Sequence, residues 1–221
     1  MKRLFRDNSL SLVMLGLFAL FLVAQSVTGF NVYNDDQLEH GEATISYREY
    51  LRSGHFVEAT FENWESEYLQ MGAYVLFTVF LFQRGSSESK DPDKKESVDE
   101  DPREAQDRQD VPWPVRAGGL ALKGYEYSLS IALLLLFLFS FILHAIGGAR
   151  EYSQEQLAHG GQAVTTWEFL HTSEFWFQSF QNWQSEFLAV FSLVVLSVFL
   201  RQRGSPESKP VAAPHHETGT A

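Results

Sequence analysis

The sequence predicts an all-α, polytopic membrane protein: four transmembrane helices arranged as two tandem, parallel two-helix repeats with pseudo-two-fold symmetry. Three observations carry this expectation. The apolar residues fall into four separate blocks, the chain matches itself without a gap at a shift of 119 residues, and Lys and Arg are unevenly distributed between the connecting segments.

The blocks come first. Leu10–Val27 carries no charge, Ser128–Ile146 contains the unbroken run Ala132–Phe139, and Tyr68–Phe82 and Phe187–Leu200 are shorter. A helix rises 1.5 Å per residue, so crossing a hydrocarbon core of about 30 Å takes roughly 20 apolar residues. The first and third blocks meet that length. The second and fourth reach it when the mixed stretches before them, Phe56–Glu67 and Phe175–Glu186, continue the same helix. The expected spans are about 9–30, 64–83, 127–148 and 183–202. The mean hydropathy of −0.15 hides them, because polar segments between the blocks dilute the average. Lys2, Arg3 and Arg6 followed by an apolar run and Ala24-Gln25-Ser26 also resemble a cleavable signal. The matching third block, which lies mid-chain, argues for retention.

The repeat is read by laying Ser9–Lys90 on Ser128–Lys209, where 32 of 82 positions are identical. Gln37-Leu38 falls on Gln156-Leu157, His40-Gly41 on His159-Gly160, and Gln83-Arg84-Gly85-Ser86 on Gln202-Arg203-Gly204-Ser205. Asn63-Trp64-x-Ser66-Glu67 falls on Asn182-Trp183-x-Ser185-Glu186. Shared hydrophobicity would not place Asn, Trp, Glu, His and Gly in register. Two spans per copy return the chain to its starting side, so the copies are expected to be parallel. The expected division is 1–84 for the first repeat, 85–123 for a disordered cytosolic linker, 124–203 for the second repeat and 204–221 for a disordered tail. The linker and tail are rich in Ser, Asp, Glu, Lys and Pro and lack apolar periodicity. His215-His216 in the tail reads as a solvated pair.

The N-terminal segment, the linker and the tail together hold 14 Lys and Arg, whereas the two intra-repeat loops hold only Arg48, Arg52 and Arg150. The excess marks the cytoplasmic side. Both termini are therefore expected in the cytoplasm and both loops outside.

The loops are expected to be structured. Ser46 and Glu49, and Thr165 and Glu168, have the spacing of a capping box, in which each helix-start residue satisfies the other's backbone N–H. Ser53-Gly54 reads as a break. Phe61, Trp64, Phe180 and Trp183 read as aromatic anchors at the membrane–water boundary, where an apolar ring with a polar edge is at home. Asn63, Ser66 and Glu67, with Asn182, Ser185 and Glu186, share one helix face and form the candidate polar cluster at the repeat interface. Two readings stand for it: hydrogen bonds that hold helices together, or a proton- or cation-binding Glu67–Glu186 pair on a path through the membrane. Gln25 and His144 align late in the first span of each copy, and Asp7 and Glu126 align where they offset a helix dipole.

The composition excludes several classes. There is no Cys, which removes thiol chemistry and disulfides. The net charge of −11 argues against nucleic acid. No phosphate loop, dinucleotide fingerprint, nucleophile elbow or zinc-protease signature is present, so no enzyme activity and no cofactor are expected. His40 and His159 with the paired Glu residues lack a short ligand spacing, so no metal is assigned and a turn role for His-Gly is expected.

The stretch Glu49-Tyr50-Leu51-x-Ser53-Gly54-His55-Phe56, the Asn-Trp-x-Ser-Glu signature and Gln83-Arg84-Gly85-Ser86 together resemble a bacterial family of small four-span membrane proteins classed as a domain of unknown function. The resemblance implies a multi-pass protein of the bacterial cell (inner) membrane and supplies no catalytic residues. Gly54-His55 becomes Ser173-Glu174 in the second copy, so a role for His55 is not duplicated. The expected function is non-enzymatic: a bilayer-embedded protein whose aromatic-rich outer loops bind an envelope, lipid or protein partner. The alternative is a small proton or cation transporter or channel, which with four helices would require a homodimer.

Overall fold

A computed structural model describes residues 2–219, with side chains described from Phe5 onward. Residues 1, 220 and 221, the extremes of the expected first repeat and tail, lie outside the described residues. In chain order the elements are α1 (Lys2–Asp7), α2 (Ser9–Glu39), α3 (Tyr47–Tyr50), α4 (Gly54–Phe77), two 3₁₀ turns (Ser97–Asp99 and Pro102–Ala105), α5 (Trp113–Ala117), α6 (Gly119–Glu126), α7 (Ser128–Ala158), α8 (Thr166–Phe169) and α9 (Ser173–Phe199). No strand occurs among the described residues.

Among the described residues three helices are long and apolar enough to cross a membrane: α2, α7 and α9. Four were expected, and α4, expected as the second span, does not meet that length and composition. α4 is 24 residues long, but Glu58, Glu62, Glu65 and Glu67 fall in its first part, and the apolar run that follows leaves the helix at Phe77 to form turns. The expected span 64–83 is therefore helical only to Phe77. α2 and α7, at 31 residues each, overrun the expected spans 9–30 and 127–148 by between two and three turns. α9 starts ten residues before the expected 183, at Ser173. Large side chains such as Leu10, Phe21, Leu135 and Phe191 are exposed along the three apolar helices. Helices that are apolar around the whole circumference need an apolar surrounding.

The chain forms two compact units, one of residues 1–61 with 143–175, the other of residues 62–142 with 176–221. In the first unit, Asn34 on α2 holds the chain before α3: its side chain donates to the Ile45 carbonyl at 3.1 Å and accepts the Ile45 N–H at 2.8 Å. Ser153 on α7 does the same for Val164, at 3.1 and 3.0 Å. Both expected capping boxes form, Ser46 with Glu49 and Thr165 with Glu168. Hydrogen bonds from the Ser46 hydroxyl and N–H hold the Glu49 carboxyl below its ordinary range, and those from the Thr165 N–H and hydroxyl do so for Glu168.

The short helices each drive one ring into the unit. Tyr50 (1 % exposed) seats its hydroxyl end against Gly29, and Phe169 (0 %) lies against Gly148. Phe169 meets Phe175 edge-on at 5.6 Å, and His144 stacks on Phe175 at 4.7 Å. α4 begins at Gly54, where the sequence pattern expected a break, and its start crosses α7 backbone to backbone. A Cβ on Gly54 would stand 2.6 Å from the Glu151 nitrogen and 2.8 Å from the Gly147 oxygen, and one on Gly147 would stand 2.6 Å from the Glu58 nitrogen. Only glycine permits that approach.

In the second unit, the segment expected as a tether makes local turns stapled by ion pairs, Arg103 with Asp101 and Glu126, and Arg108 with Asp110. The C-terminal segment lies against the turn after Gln83. Gly85 donates to Thr218 at 2.9 Å, Gly219 donates to the Ser86 carbonyl at 3.0 Å, and Ser86 bonds Ser197 at 2.7 Å. The Lys209 ammonium, buried, donates to the carbonyls of Pro214, His215 and Glu217.

Candidate functional site

The first unit contains a cavity of about 660 Å³ at the C-terminal ends of α2 and α7. Its walls follow from the helix overrun: past the apolar spans, both helices change to polar residues for two turns. α2 contributes Tyr33, Asp36 and Gln37, α7 contributes Glu151, Gln154 and Glu155, and His40, Glu42 and His159 come from the turns that follow. Those turns are alike. His40 Nδ1 lies 2.9 Å from the Asp36 carbonyl and His159 Nδ1 lies 2.8 Å from that of Glu155, while Gly41 and Gly160 both have φ of +77°, a left-handed conformation suited to a helix exit. His-Gly thus has the turn role expected of it, and the two imidazoles line the same cavity.

Among the described residues four carboxylates line the cavity and no Lys or Arg does. Arg52 and Arg150 line a separate groove of the same unit. Glu151 is the carboxylate drawn furthest inward. Its Oε2 is sealed from solvent and has no hydrogen-bond partner among the described residues, and the carboxylate accepts the backbone N–H of His55 at the start of α4. Tyr33, 8 % exposed, donates to Gln154 Oε1 at 3.3 Å and closes one wall. Tyr50 bonds His55 Nδ1 at 3.2 Å. Burial holds the His55 imidazole below its ordinary value, so it offers no positive charge to Glu151 near neutral pH.

The second unit holds the polar cluster expected from the sequence. Its members bond mostly along their own helices. Ser66 Oγ donates to the Asn63 carbonyl and Ser185 Oγ to that of Asn182, each at 2.8 Å, and Asn182 donates to the Gln178 carbonyl at 3.1 Å. Ser66 is buried, whereas Asn63, Glu67 and Ser185 are exposed and Asn182 and Glu186 are half-buried. Glu67 and Glu186 do interact electrostatically. The fully buried carboxylate is one the sequence pattern passed over. Glu65, 0 % exposed, accepts the Trp183 indole N–H at 3.0 Å. Trp183, expected as an interfacial anchor, is thereby turned inward, with Phe137 6.5 Å and Phe180 5.6 Å away. Phe180 is exposed, and Phe61 and Trp64 are half-buried. Ser140 and Ser179 are also fully buried, and their hydroxyl oxygens have no partner among the described residues.

A family model for a domain of unknown function, DUF6766, matches residues 1–220. The chain belongs to the DUF6766 family. No curated protein and no solved structure matches it. Among the described residues no three His, Asp or Glu side chains are placed to hold a metal ion. The DUF6766 cavity therefore offers spread negative charge without a coordination centre. Asp36, Glu151, Glu155 and Glu65 were missed because none belongs to a residue pair identical in both copies: Glu151 falls opposite Val32 and Glu65 opposite Gln184. The available signal was the helix overrun, since polar turns continuing a span past the bilayer thickness form a wall that stands in water.

Proposed function

We propose that this protein is a non-enzymatic, four-span protein of the bacterial cell membrane, with both termini in the cytoplasm, that binds a small organic cation at its extracytoplasmic side. The cavity of about 660 Å³, lined by four carboxylates and by no Lys or Arg, carries the reading. Its volume lies in the range of small-molecule pockets, and it is far larger than a bare ion requires.

Four spans are supported by the 14-to-3 distribution of Lys and Arg. They are also supported by the inward placement of Glu65 and Ser66, which removes much of the polar cost of carrying α4 through lipid. The matched local features 119 residues apart, from Asn34/Ser153 to the two capping boxes, favour a tandem duplication. A topology reporter fused after Lys90 should read cytoplasmic and one inserted near Glu42 should read extracytoplasmic. Both on one side would remove the four-span arrangement.

The binding itself is tested with spermidine and the purified full chain in detergent at pH 8. Saturable binding is expected by calorimetry, and Asp36→Asn with Glu155→Gln should weaken it about tenfold, a loss of about 1.4 kcal/mol. Absence of saturable binding would overturn the reading. In sealed proteoliposomes, uptake of spermidine that is lost in Glu65→Gln would replace binding by transport, the alternative that the buried Glu65 and the unpartnered Ser140 and Ser179 favour.

A further inference from the structure

The cavity contains one carboxylate whose situation is incomplete. The Glu151 Oε2 is shut off from solvent, has no hydrogen-bond partner among the described residues, and has no Lys or Arg beside it in the cavity. A buried carboxylate in this position has two ways to settle: it takes a proton, or it takes a cation from solution. We infer that the cavity exchanges the two, so that an organic ammonium enters as the Glu151 carboxyl releases its proton to water at the open mouth. The inference rests on the cation-site reading above.

The surroundings support an exchange close to neutral pH. The apolar part of α7 ends at Ile146, so Glu151 stands beyond the membrane-spanning segment. Its carboxyl is pushed up to about 7, by burial first and then by the charges of Glu155 and Asp36, while the His55 backbone N–H pulls it down. Tyr33 on α2 and Tyr50 on α3 are raised, chiefly by burial, and stay neutral. His55 on α4 is held below its ordinary value by burial, and Glu58, one turn on, lies against Gly148. Glu42 and His159 complete the rim, and Arg150 faces the separate groove. His40 is a competing titration. Its imidazole is exposed and raised by the Asp36 carbonyl and by neighbouring carboxylates, so it also gains charge as pH falls.

The sign follows directly. Above about pH 7 Glu151 is an anion and attracts an ammonium. Below that value it is neutral, and the site loses one of its four charges together with the innermost acceptor. Spermidine binding to the full chain in detergent should be about tenfold weaker at pH 6 than at pH 8, with about one proton released per molecule bound near pH 6. The proton count is measured by calorimetry in buffers of different ionisation enthalpy. Glu151→Gln should flatten the pH profile and abolish the release, whereas His40→Gln with His159→Gln should keep both. A profile unchanged in Glu151→Gln, or lost in the His variant, would overturn the exchange while leaving the cation site standing. No binding at any pH would instead remove the site. If Glu151→Gln does not fold, infrared difference spectra of the wild-type chain at pH 6 decide. A protonated-carboxyl band that disappears when spermidine is added supports the exchange, and no such band refutes it.

Discussion

Gly147→Val is expected to lower the thermal unfolding midpoint of the detergent-solubilised protein by about 6–12 °C, the equivalent of roughly 3 kcal/mol for a chain of this size. The reason is the crossing of α4 on α7. A Cβ at Gly147 would lie 2.6 Å from the Glu58 nitrogen and 2.9 Å from Val57 Cγ1. The first of these is backbone, which cannot swing aside as a side-chain tip can. Relief therefore requires separating the two helices, and separation strips contacts along the whole crossing. Overpacking by a few methyl groups costs about 1–3 kcal/mol even where side chains can adjust. Gly54→Ala should act in the same direction, because its Cβ would meet the Glu151 nitrogen at 2.6 Å. Gly16→Ala is the control, since nothing lies within 4 Å of a Cβ there. A Gly147→Val midpoint within about 2 °C of the parent would show that the helices do not approach this closely.

Phe169→Ala is expected to cost about 3–5 kcal/mol, read as a fall in the same unfolding midpoint of roughly 6–20 °C. Phe169 is fully buried, meets Phe175 at 5.6 Å and Tyr152 at 5.5 Å, and fills the space over Gly148. Its removal leaves a ring-sized void bounded by a helix that has no side chain at Gly148 to collapse inward. Phe169→Leu should cost less than half as much, because most of the volume is restored. Equal midpoints for the Ala variant and the parent would contradict the placement of α8 against α7.

What the sequence made legible was periodic or local. The capping boxes formed because a Ser or Thr three residues before a Glu can satisfy both N–H groups whatever lies around them. The apolar blocks announced α2, α7 and α9, because lipid demands the same composition of any crossing helix. The end of α4 at Phe77 was not legible: Thr78–Phe82 is as apolar as a span, and its turns depend on tertiary context that no window reveals. The candidate site failed for a related reason. Residues identical in both copies, such as Ser66 and Ser185, were natural suspects, yet their hydroxyls are satisfied by carbonyls three residues back. The carboxylates that end up inside, Glu65 and Glu151, are positions where the copies differ.

The 31 residues of α2 and of α7 have a further consequence. An upright helix of that length measures roughly 46 Å, about 16 Å more than the hydrocarbon slab it crosses. Ions in physiological medium shield fields over about 8 Å. The far ends of these helices would then stand about 10 Å past the headgroup layer, roughly one shielding distance, where the pull of charged headgroups on protons and cations has fallen to about a third. A carboxyl placed there follows mainly the acidity of the surrounding fluid and only weakly that of the lipid surface.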